Sequence, residues 1–494
     1  IIYIVLDNLK EDTMGVLEGI NPNGVMKFFE EISMIPRGSK NEKEISDYLV
    51  KFGKDRGLET IQDKSLNVII KKPATKGYEN VPSMILQGHM DMVCEKNQGT
   101  EHDFMKDSLK LRIVDGWIKA TGTTLGADNG IAVAFALALL DSKELPHPAL
   151  EVLITSDEEM GMTGAQNLDI SLLSSKTLIN IDTEEEGELY VSCAGGARGV
   201  FEIPVKKEKA SSKGLHLKVR GLQGGHSGAD IHLQKGNANK LLGRVLNALN
   251  NLLELQLSSV SGGSKDNAIP READVKFIIN DFTKAKEIIS EYEGIFKNEL
   301  RVSDKDIRLE VEEIEINELF GKEESSKIVE TIQLHPNGIK SMSLDIEGLV
   351  ESSLNLGVIV TNENSVTLHS AIRSSVLSQK MAMVEELKTL AKVMNINFID
   401  SAHYPAWQYR EHSKIRDIFE KTYEKINGKK PKIKAIHAGL ECGLFDEKFD
   451  DIDMISFGPD IRNAHTPEEM VNIASIERVW NYFVEVMKST KENY

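Results

Sequence analysis

The sequence is poor in cysteine and in basic residues, and these two shortages exclude certain classes of protein. Three cysteines, Cys94, Cys193 and Cys442, lie far apart among 494 residues and form no CxxC pair. This excludes a disulfide framework and favours free thiols in a reducing compartment. Lysine and arginine number 59 against 77 aspartates and glutamates, which gives a net charge of −18. We therefore expect no binding to nucleic acid, whose backbone attracts clustered basic residues.

Long apolar runs are also missing. None approaches the ~20 residues of a membrane-spanning helix, so we expect no membrane segment. The opening run Ile1–Leu6 follows no basic stretch and is shorter than the ~7–15 apolar residues of a signal-peptide core. We expect residues 1–13 to be a leader before a start at Met14, or an expression remnant, and we expect the protein to be cytoplasmic.

Buried strands alternate with helices over the first two hundred residues. SMILQG (83–88), ALEVLITS (149–156) and TLINIDTEE (177–185) each contain the continuous apolar run of a strand covered on both faces. The very apolar helix IAVAFALALLDS (131–142) lies between the first two of these strands. The pattern predicts an α/β catalytic domain, a mostly parallel sheet flanked by helices, phosphorylase/hydrolase-like in architecture.

The pattern of apolar and polar residues changes near residue 200. Strands become more polar and alternating, as in GLHLKVRG and ADVKFIIN, with helices between them, and the buried pattern returns near residue 400. We predict an inserted α+β domain at 198–400, between a first catalytic segment at 14–197 and a second at 401–494.

Imidazole and carboxylate groups follow the ends of the buried strands. His89 and Asp91 are two residues apart and so point the same way from a strand. The other donors are Glu158 and Glu159 after VLITS, Asp182 after LINI, His465 shortly after MISFGP, and Asp128 at the start of the apolar helix. Because ligands of open α/β sheets bind beyond the carboxyl ends of the strands, we expect these groups to meet at one edge.

Five carboxylates cannot be buried together without countercharge, and these turns contain no lysine or arginine. We infer a cation, and the mixed imidazole and carboxylate donors suit zinc, with cobalt or manganese as alternatives. Two ions with a shared ligand account for this many donors better than one. Singly, HMD could be a capped turn, DEE a solvated acidic cluster and Asp128 a helix N-cap, but their shared placement favours a metal site. Cys193 and Cys442 are alternative ligands, although the oxygen and nitrogen donors already suffice.

The motifs GHMD, TTLGADNG, TSDEEMG, NIDTEE, GGHSG and NAHTPEE together resemble the co-catalytic di-zinc metallopeptidases, which include carnosinases, peptidase T and glutamate carboxypeptidase. The longer stretches LQGHMDMVCEKN, GTTLGADNGIA, GLQGGHSGADIH, NAIPREA, HAGLECG and SFGPDIRNAHTPEE resemble the aminoacyl-histidine (Xaa-His) dipeptidases of that family, over most of the chain. The resemblance implies small peptides as substrates and an inserted domain that serves as lid and homodimer interface.

The resemblance also implies a role for each metal-site residue. Of the expected ligands, His89 and Asp182 bind one ion, Glu159 and His465 the other, and Asp128 both. An Asp rather than a Glu at position 182 accompanies the aminopeptidase-type members, which suggests a substrate with a free amino end.

Three further residues are expected to serve catalysis. Asp91 would bond to His89 and set its tautomer. Glu158 would be the general base that activates a metal-bridged water. His226, in the GGHSG loop of the inserted domain, would stabilise the oxyanion, in dimers from the partner subunit. The plainer explanation of His226 is a loop histidine in solvent.

Four candidates for substrate binding are weaker. They are Asn267, Arg373, Gly439 and Glu441. An arginine suits a C-terminal carboxylate, although a surface salt bridge explains Arg373 about as well.

The implied function is a zinc-dependent metallo-dipeptidase for Xaa-His and other dipeptides. A tripeptidase or an N-acyl amino-acid deacylase on the same scaffold is the nearest alternative. A non-catalytic metal-binding protein is a remote one, since it would not need Glu158 beside Glu159.

Overall fold

The computed structural model describes residues 15–494, which form twelve α-helices and twenty-three strands. The expected leader at 1–13 lies outside these residues. In chain order the helices are α1 Asn23–Ser33, α2 Lys43–Asp55, α3 Ala127–Asp141, α4 Glu158–Gly161, α5 Thr163–Asn167, α6 Ala238–Leu252, α7 Phe282–Glu299, α8 Lys322–Leu334, α9 Leu377–Met394, α10 Lys414–Asn427, α11 Glu441–Lys448 and α12 Ile473–Asn493. Of the helices in 15–494, none combines the length and apolar character that a bilayer span requires.

The strands are numbered in the same way. They are β1 Glu59–Gln62, β2 Val68–Lys72, β3 Met84–His89, β4 Leu111–Val114, β5 Trp117–Ala120, β6 Leu150–Thr155, β7 Thr177–Asn180, β8 Glu188–Cys193, β9 Gly195–Pro204, β10 Lys207–Arg220, β11 Gly225–His226, β12 Leu255–Gly262, β13 Ala268–Ile269, β14 Ala273–Ile279, β15 Arg308–Phe320, β16 Gly338–Met342, β17 Val350–Thr361, β18 Ser365–Ser374, β19 Asn397–Tyr404, β20 Lys432–Ile436, β21 Asp453–Ser456, β22 Ile461–Arg462 and β23 Met470–Asn472.

The chain divides into two compact units. The first comprises the described residues up to Val191 together with Arg410–Lys434 and Lys448–Tyr494, and the second comprises Ser192–Tyr409 and Ala435–Glu447. The stretch 435–447 was not expected in the second unit. It joins that unit because Ala194 donates its N–H to the carbonyls of Ile436 and Ala438. The segments 14–197, 198–400 and 401–494 stay a prediction as domain limits.

An eight-stranded sheet in the order β1-β2-β6-β3-β7-β21-β8-β20 forms the framework of the first unit. Its central strands β6, β3, β7 and β21 are parallel neighbours, whereas β1, β2 and β8 pair antiparallel. The predicted α/β class with flanking helices is confirmed, but the sheet is mixed rather than mostly parallel, with its parallel pairs at the centre. The short β1–β2 connection explains one antiparallel pair, since only antiparallel neighbours can be joined by a tight turn.

Helix α3 is buried almost throughout and contacts β3. The close approach depends on Gly88, because a Cβ there would lie 2.5 Å from the Cβ of Ala132. Helix α3 also contacts α1, whose buried residues include Val25, Phe28 and Phe29, the face expected from their helical spacing. The apolar helix is thus enclosed by a strand and a second helix.

A small sheet in the order β22-β23-β5-β4 lies in the same unit. Strand β23 pairs antiparallel with β5, with Met470 opposite Lys119. The loop between β22 and β23 contains His465, and the loop after β5 leads to Asp128. This pairing brings the two loops together although more than three hundred residues separate them.

The second unit is built on antiparallel strands in the order β15-β10-β14-β12-β17-β18-β9-β19, with β16 beside β17. Alternating burial, as in Ala273–Ile279, turns one face of the sheet toward α6–α9. A two-stranded ribbon of β11 and β13 carries His226. The predicted α+β insertion is confirmed.

Candidate metal centre

The carboxyl ends of the parallel strands carry the first donors. His89 is the last residue of β3, Glu158 and Glu159 begin α4 three residues after β6, and Asp182 lies two residues beyond β7. Parallel strands end at the same edge of a sheet, so their final side chains converge there. His89 is buried, whereas the carboxylates are half-buried.

Asp128 lies between two imidazoles. Its Oδ1 is 3.2 Å from Nε2 of His89, and its Oδ2 is 3.1 Å from Nε2 of His465. Asp128 and Asn129 depart from helical geometry at the start of α3, and His465 has a positive φ of 63° in its loop. One carboxylate thus uses both oxygens to connect histidines that are distant in the chain.

Two further acids complete the cluster. Oε2 of Glu159 is 3.1 Å from Nε2 of His465, and Oδ1 of Asp182 is 3.6 Å from Nε2 of His89. The ligand atoms that lie within 4.8 Å of one another include those of three sets: His89, Asp128 and Asp182; Asp128, Glu159 and His465; and His89, Glu158 and Glu159. The first two sets share Asp128.

The expected alternative ligands lie elsewhere. Within residues 15–494, neither Cys193 nor Cys442 belongs to a set of three or more possible ligands. Burial raises the pKa of the Cys193 thiol to about 11, which keeps it protonated at neutral pH.

Asp91 contacts three of the donors: the backbones of Glu158 and Glu159 and the ring of His89. Its Oδ1 accepts the N–H of Glu158 at 3.0 Å, and its Oδ2 accepts the hydroxyl of Ser39 at 2.8 Å and the N–H of Glu159 at 3.3 Å. Nδ1 of His89 is 3.4 Å from Oδ1 of Asp91 and 3.2 Å from the backbone carbonyl of the same residue. Both acceptors favour a proton on Nδ1, which leaves Nε2 of His89 directed at the carboxylates.

The electrostatics of the cluster favour a cation. The pKa values of Glu159 and Asp182 are raised, first because burial disfavours a charged carboxylate and then because Asp128 repels a second negative charge. Burial would also raise the pKa of Asp128, but hydrogen bonds with His465 and His89 outweigh it and lower the value. Hydrogen bonds with Asp128 and then Glu159 raise the pKa of His465 to about 11. The carboxylates therefore stabilise positive charge on the neighbouring imidazoles, as they would stabilise a bound cation.

Two buried charged residues near the cluster escaped the sequence analysis. Glu469 accepts backbone N–H groups from the loop at 125–128. Arg37 donates to the carbonyl of Met90, directly after His89, and to that of Gly126, two residues before Asp128. Lys40 pairs with Asp157. The absence of basic residues from the strand-end turns was thus only part of the charge balance. Glu469 stood within the motif SFGPDIRNAHTPEE, so a charged residue inside a recognised motif was the available signal.

His226 lies in the second unit on β11. Its Nδ1 accepts the N–H groups of Gly228 at 3.2 Å and Ala229 at 2.9 Å, so the proton of the neutral ring lies on Nε2. Burial, followed by the charge of Arg373, lowers the pKa of His226. The half-buried ring is a neutral Nε2–H donor at physiological pH, unlike a loop histidine in solvent.

Arg373 is only 8% exposed and donates to the hydroxyl of Tyr404 at 2.9 Å, while its Nε is buried without a partner among the described residues. The expected surface salt bridge does not describe this environment. His437, which the sequence analysis did not single out, binds the hydroxyl of Ser353 at 2.7 Å through Nε2. Burial and then the charges of Arg373 and His226 lower the pKa of His437 to about 3.

The other three candidates for substrate binding also belong to the second unit. Asn267 is exposed, and its carbonyl accepts the N–H of Ser227 beside His226. Gly439 lies between β20 and α11, and Glu441 is the buried first residue of α11. Asp91 and six donors of the first unit thus form one cluster. The five other candidates lie in the second unit, and they are His226, Asn267, Arg373, Gly439 and Glu441.

The sequence matches the model of peptidase family M20/M25/M40 over residues 85–489. It is 39% identical over 481 residues to the cytosol non-specific dipeptidase of Escherichia coli K12, which covers 96% of this chain and 99% of that protein. The crystal structure of aminoacylhistidine dipeptidase from Vibrio alginolyticus has a TM-score of 0.91 at 41% identity, covering 96% of this chain and 98% of that one. Aminopeptidase PepT from Bacillus cereus ATCC 10987 shares the fold, with a TM-score of 0.56 at 18% identity over 95% and 99% of the two chains.

The fold, the donor cluster and these matches define the class of the protein, a peptide hydrolase with a candidate centre for metal ions. The chain belongs to peptidase family M20/M25/M40. The resemblance to the aminoacyl-histidine dipeptidases is confirmed by the likeness to the aminoacylhistidine dipeptidase of V. alginolyticus, and the E. coli relative is also named as a dipeptidase.

Proposed function

We propose that the chain is a metal-dependent dipeptidase that hydrolyses dipeptides with a free amino end, including Xaa-His. The observation that carries the proposal is the double contact of Asp128, one oxygen toward His89 and the other toward His465. Such a carboxylate suits a centre for two ions with a shared ligand. The names of the two similar dipeptidases support the choice of substrate class, and the name of the E. coli protein supports a cytosolic location.

The residues fit a pair of divalent ions. His89 and Asp182 would hold one ion, Glu159 and His465 the other, and Asp128 both, as the shared member of the two sets of ligand atoms. Oε1 of Glu159 is buried with no hydrogen-bond partner among the described residues, so it is available to a cation. Imidazole and carboxylate donors in this ratio favour Zn²⁺ over Mg²⁺ or Ca²⁺, with Co²⁺ and Mn²⁺ as alternatives.

When bound, such ions polarise a peptide carbonyl and lower the pKa of water to near neutrality. Glu158 would take the proton of the attacking water and transfer it to the leaving amine. Its backbone is held by Asp91, which accepts the N–H of Glu158. This arrangement sets the base beside Glu159, with the two carboxylates in different roles.

The second unit would supply the groups that recognise the substrate. The Nε2–H of His226 would donate to the oxyanion, and the guanidinium of Arg373 would bind the C-terminal carboxylate. We also propose a homodimer formed through this unit, for which β15 and β19, the two edges of its sheet, offer surfaces that can pair with a second chain.

A substrate panel tests the proposal. The purified protein would be assayed with a dipeptide, the corresponding tripeptide and an N-acetylated amino acid, with and without chelator, and its metal content would be measured on the same sample. We expect dipeptide hydrolysis that chelator abolishes and that Zn²⁺, Co²⁺ or Mn²⁺ restores. Preference for the tripeptide or the acetylated substrate would replace the proposal with a tripeptidase or a deacylase. A metal-loaded protein that hydrolyses none of them would indicate a binding protein.

A further inference from the structure

The carboxylate of Glu469 binds a continuous row of backbone N–H groups. Its Oε2 accepts from Leu125 at 2.8 Å and from Gly126 at 2.9 Å, and its Oε1 accepts from Ala127 at 2.8 Å and from Asp128 at 3.3 Å. Glu469 is only 2% exposed, so water offers these groups little alternative. A single side chain therefore determines the path of the backbone that leads into Asp128.

Arg37 binds the same loop through a backbone carbonyl. Its guanidinium donates to the carbonyl of Gly126 at 2.5 Å and to those of Met90 at 3.0 Å and Asp91 at 3.3 Å. The side chain is 1% exposed. It thereby joins the loop that carries Asp128 to the segment directly after His89.

The fit around this arginine leaves no room for a side chain at Gly126. A Cβ on Gly126 would lie 2.6 Å from Nη2 of Arg37, and the residue has a left-handed φ of 66°. Glu469 also lies four residues after His465 and directly before β23, which pairs with β5 ahead of the loop. Glu469 and Arg37 together connect the three segments that deliver His89, Asp128 and His465.

We propose that Glu469 and Arg37 are positioning residues that hold Asp128 where it can reach both metal ions. Neither side chain is in the sets of possible ligands, so they act through the backbone of the loop. Burying a carboxylate so near the acidic cluster is unfavourable unless its hydrogen bonds and a compensating charge repay the desolvation, and the N–H row and Arg37 supply both. The inference rests on the proposed function, since it assumes that the cluster binds metal.

The test compares two adjacent glutamates. Glu469→Gln keeps the shape of the side chain but turns an NH₂ group toward N–H donors. Glu468→Gln is the matched control, since Glu468 is 61% exposed and its carboxylate pairs with Lys119 at 3.0 Å on the surface. Metal-free samples of the full chain would be titrated with Zn²⁺ in a calorimeter, and Tm would be measured with and without Zn²⁺.

We expect the affinity of E469Q for Zn²⁺ to fall by about 10–100-fold, the usual range for outer partners of metal ligands. The rise in Tm on adding Zn²⁺ should also shrink, whereas E468Q should match the wild type in both. Wild-type affinity in E469Q would overturn the inference. So would an equal fall in Tm with and without metal, which indicates a purely structural role.

Arg37→Lys is measured in parallel. Lysine keeps the charge but cannot reach all three carbonyls, so we expect a fall in Zn²⁺ affinity in this variant as well. If both variants fail to fold while E468Q folds, the pair is structural and the inference is wrong. If the wild type itself binds no zinc, the proposed function fails. If the wild type binds two ions and E469Q binds them equally well, only the present inference fails.

Discussion

Burial shifts pKa values in opposite directions in the donor cluster of the first unit and in a basic group of the second unit. The basic group consists of His226, Arg373 and His437. In the first unit, burial and then the charge of Asp128 raise the pKa values of Glu159 and Asp182. In the second, burial and then the charge of Arg373 lower the pKa values of His226 and His437. Burial disfavours the charged form of both kinds of group.

The difference indicates what each region is prepared to bind. The first unit brings together carboxylates whose mutual repulsion a divalent cation would reduce. The second keeps its imidazoles neutral around a buried arginine, so that it can offer hydrogen bonds and one positive charge to an anionic oxygen. On the proposed function, these are the two requirements of peptide hydrolysis, activated water and a stabilised oxyanion.

The largest effect should follow from changing the base in the acidic cluster. Glu158→Gln should lower kcat by about 10²–10⁴-fold, since the residue moves the proton, while leaving the metal content unchanged. Elemental analysis of the purified variant beside its dipeptidase assay measures both. The control is Glu468→Gln, which should retain activity. Because Glu158 also belongs to one set of possible ligands, a metal-free variant would reassign it as a ligand.

Changing the neutral donor of the basic group should have the next largest effect. His226→Ala should lower kcat by about 10²–10³-fold, the equivalent of one oxyanion donor, with metal content unaffected. His232→Ala, at an exposed histidine in the same loop region, is the control.

Mixing the inactive His226→Ala and Glu158→Gln proteins tests whether His226 acts in its own chain or in a second copy. If it serves a second copy of the chain, subunits carrying His226→Ala and Glu158→Gln should recover part of the activity when they exchange. A mixture that stays inactive despite demonstrated subunit exchange would place His226 in its own chain.

The arginine of the basic group should affect substrate binding more than turnover. Arg373→Met should lower kcat/KM for dipeptides by about tenfold to a hundredfold, mainly through KM, because a hydrogen bond to a charged group is lost. Dipeptide amides, which have no terminal carboxylate, should be affected much less. Arg244→Met, at a surface ion pair with Glu299, is the control. Equal losses for acids and amides would argue against carboxylate binding.

The last prediction concerns stability in acid rather than activity. The pKa of His437 falls from its ordinary 6.5 to about 3 in the fold, so between these values the unfolded chain binds the additional proton. Its contribution is therefore present above pH 6.5 and is lost as pH falls toward 3, at up to about 1.4 kcal/mol per pH unit. In His437→Gln, one proton fewer is bound on unfolding in this range, so the free energy of unfolding should depend less steeply on pH. Denaturant titrations at several pH values measure this slope.

The steepness of the remaining acid dependence has other sources. His335 is likewise buried with its pKa lowered to about 3, so the wild type should lose stability through both histidines. His232→Gln, at an exposed position, should leave the slope unchanged. A slope in His437→Gln identical to that of the wild type would show that His437 does not titrate on unfolding in this range.

Part of the site could be predicted because it follows from local pattern. An apolar run such as Met84–Leu86 identifies a buried strand, and the rule that ligands gather beyond the carboxyl ends of parallel strands places His89 and Asp182 together. The amphipathic spacing of α1 and the continuous apolarity of α3 likewise indicated their buried faces.

Other features depend on contacts between distant segments. The roles of Glu469 and Arg37 rest on the direction of backbone N–H and C=O groups in the loop at 125–128, which no periodicity encodes. His437 stood in a recognised motif, but its environment depends on Ser353 and Arg373. The transfer of 435–447 to the second unit depends on its bonds with Ala194.

The amino-acid sequence by itself determined the class of fold, the family and which side chains are candidates for the chemistry, because strand burial and donor type are properties of neighbouring residues. Only the tertiary structure decided that Asp128 faces two histidines at once, and which buried charges hold it there. Those arrangements depend on distances and hydrogen-bond directions between segments that lie from 39 to more than 300 residues apart. The free energy of a buried charge is set by such neighbours rather than by its own place in the chain.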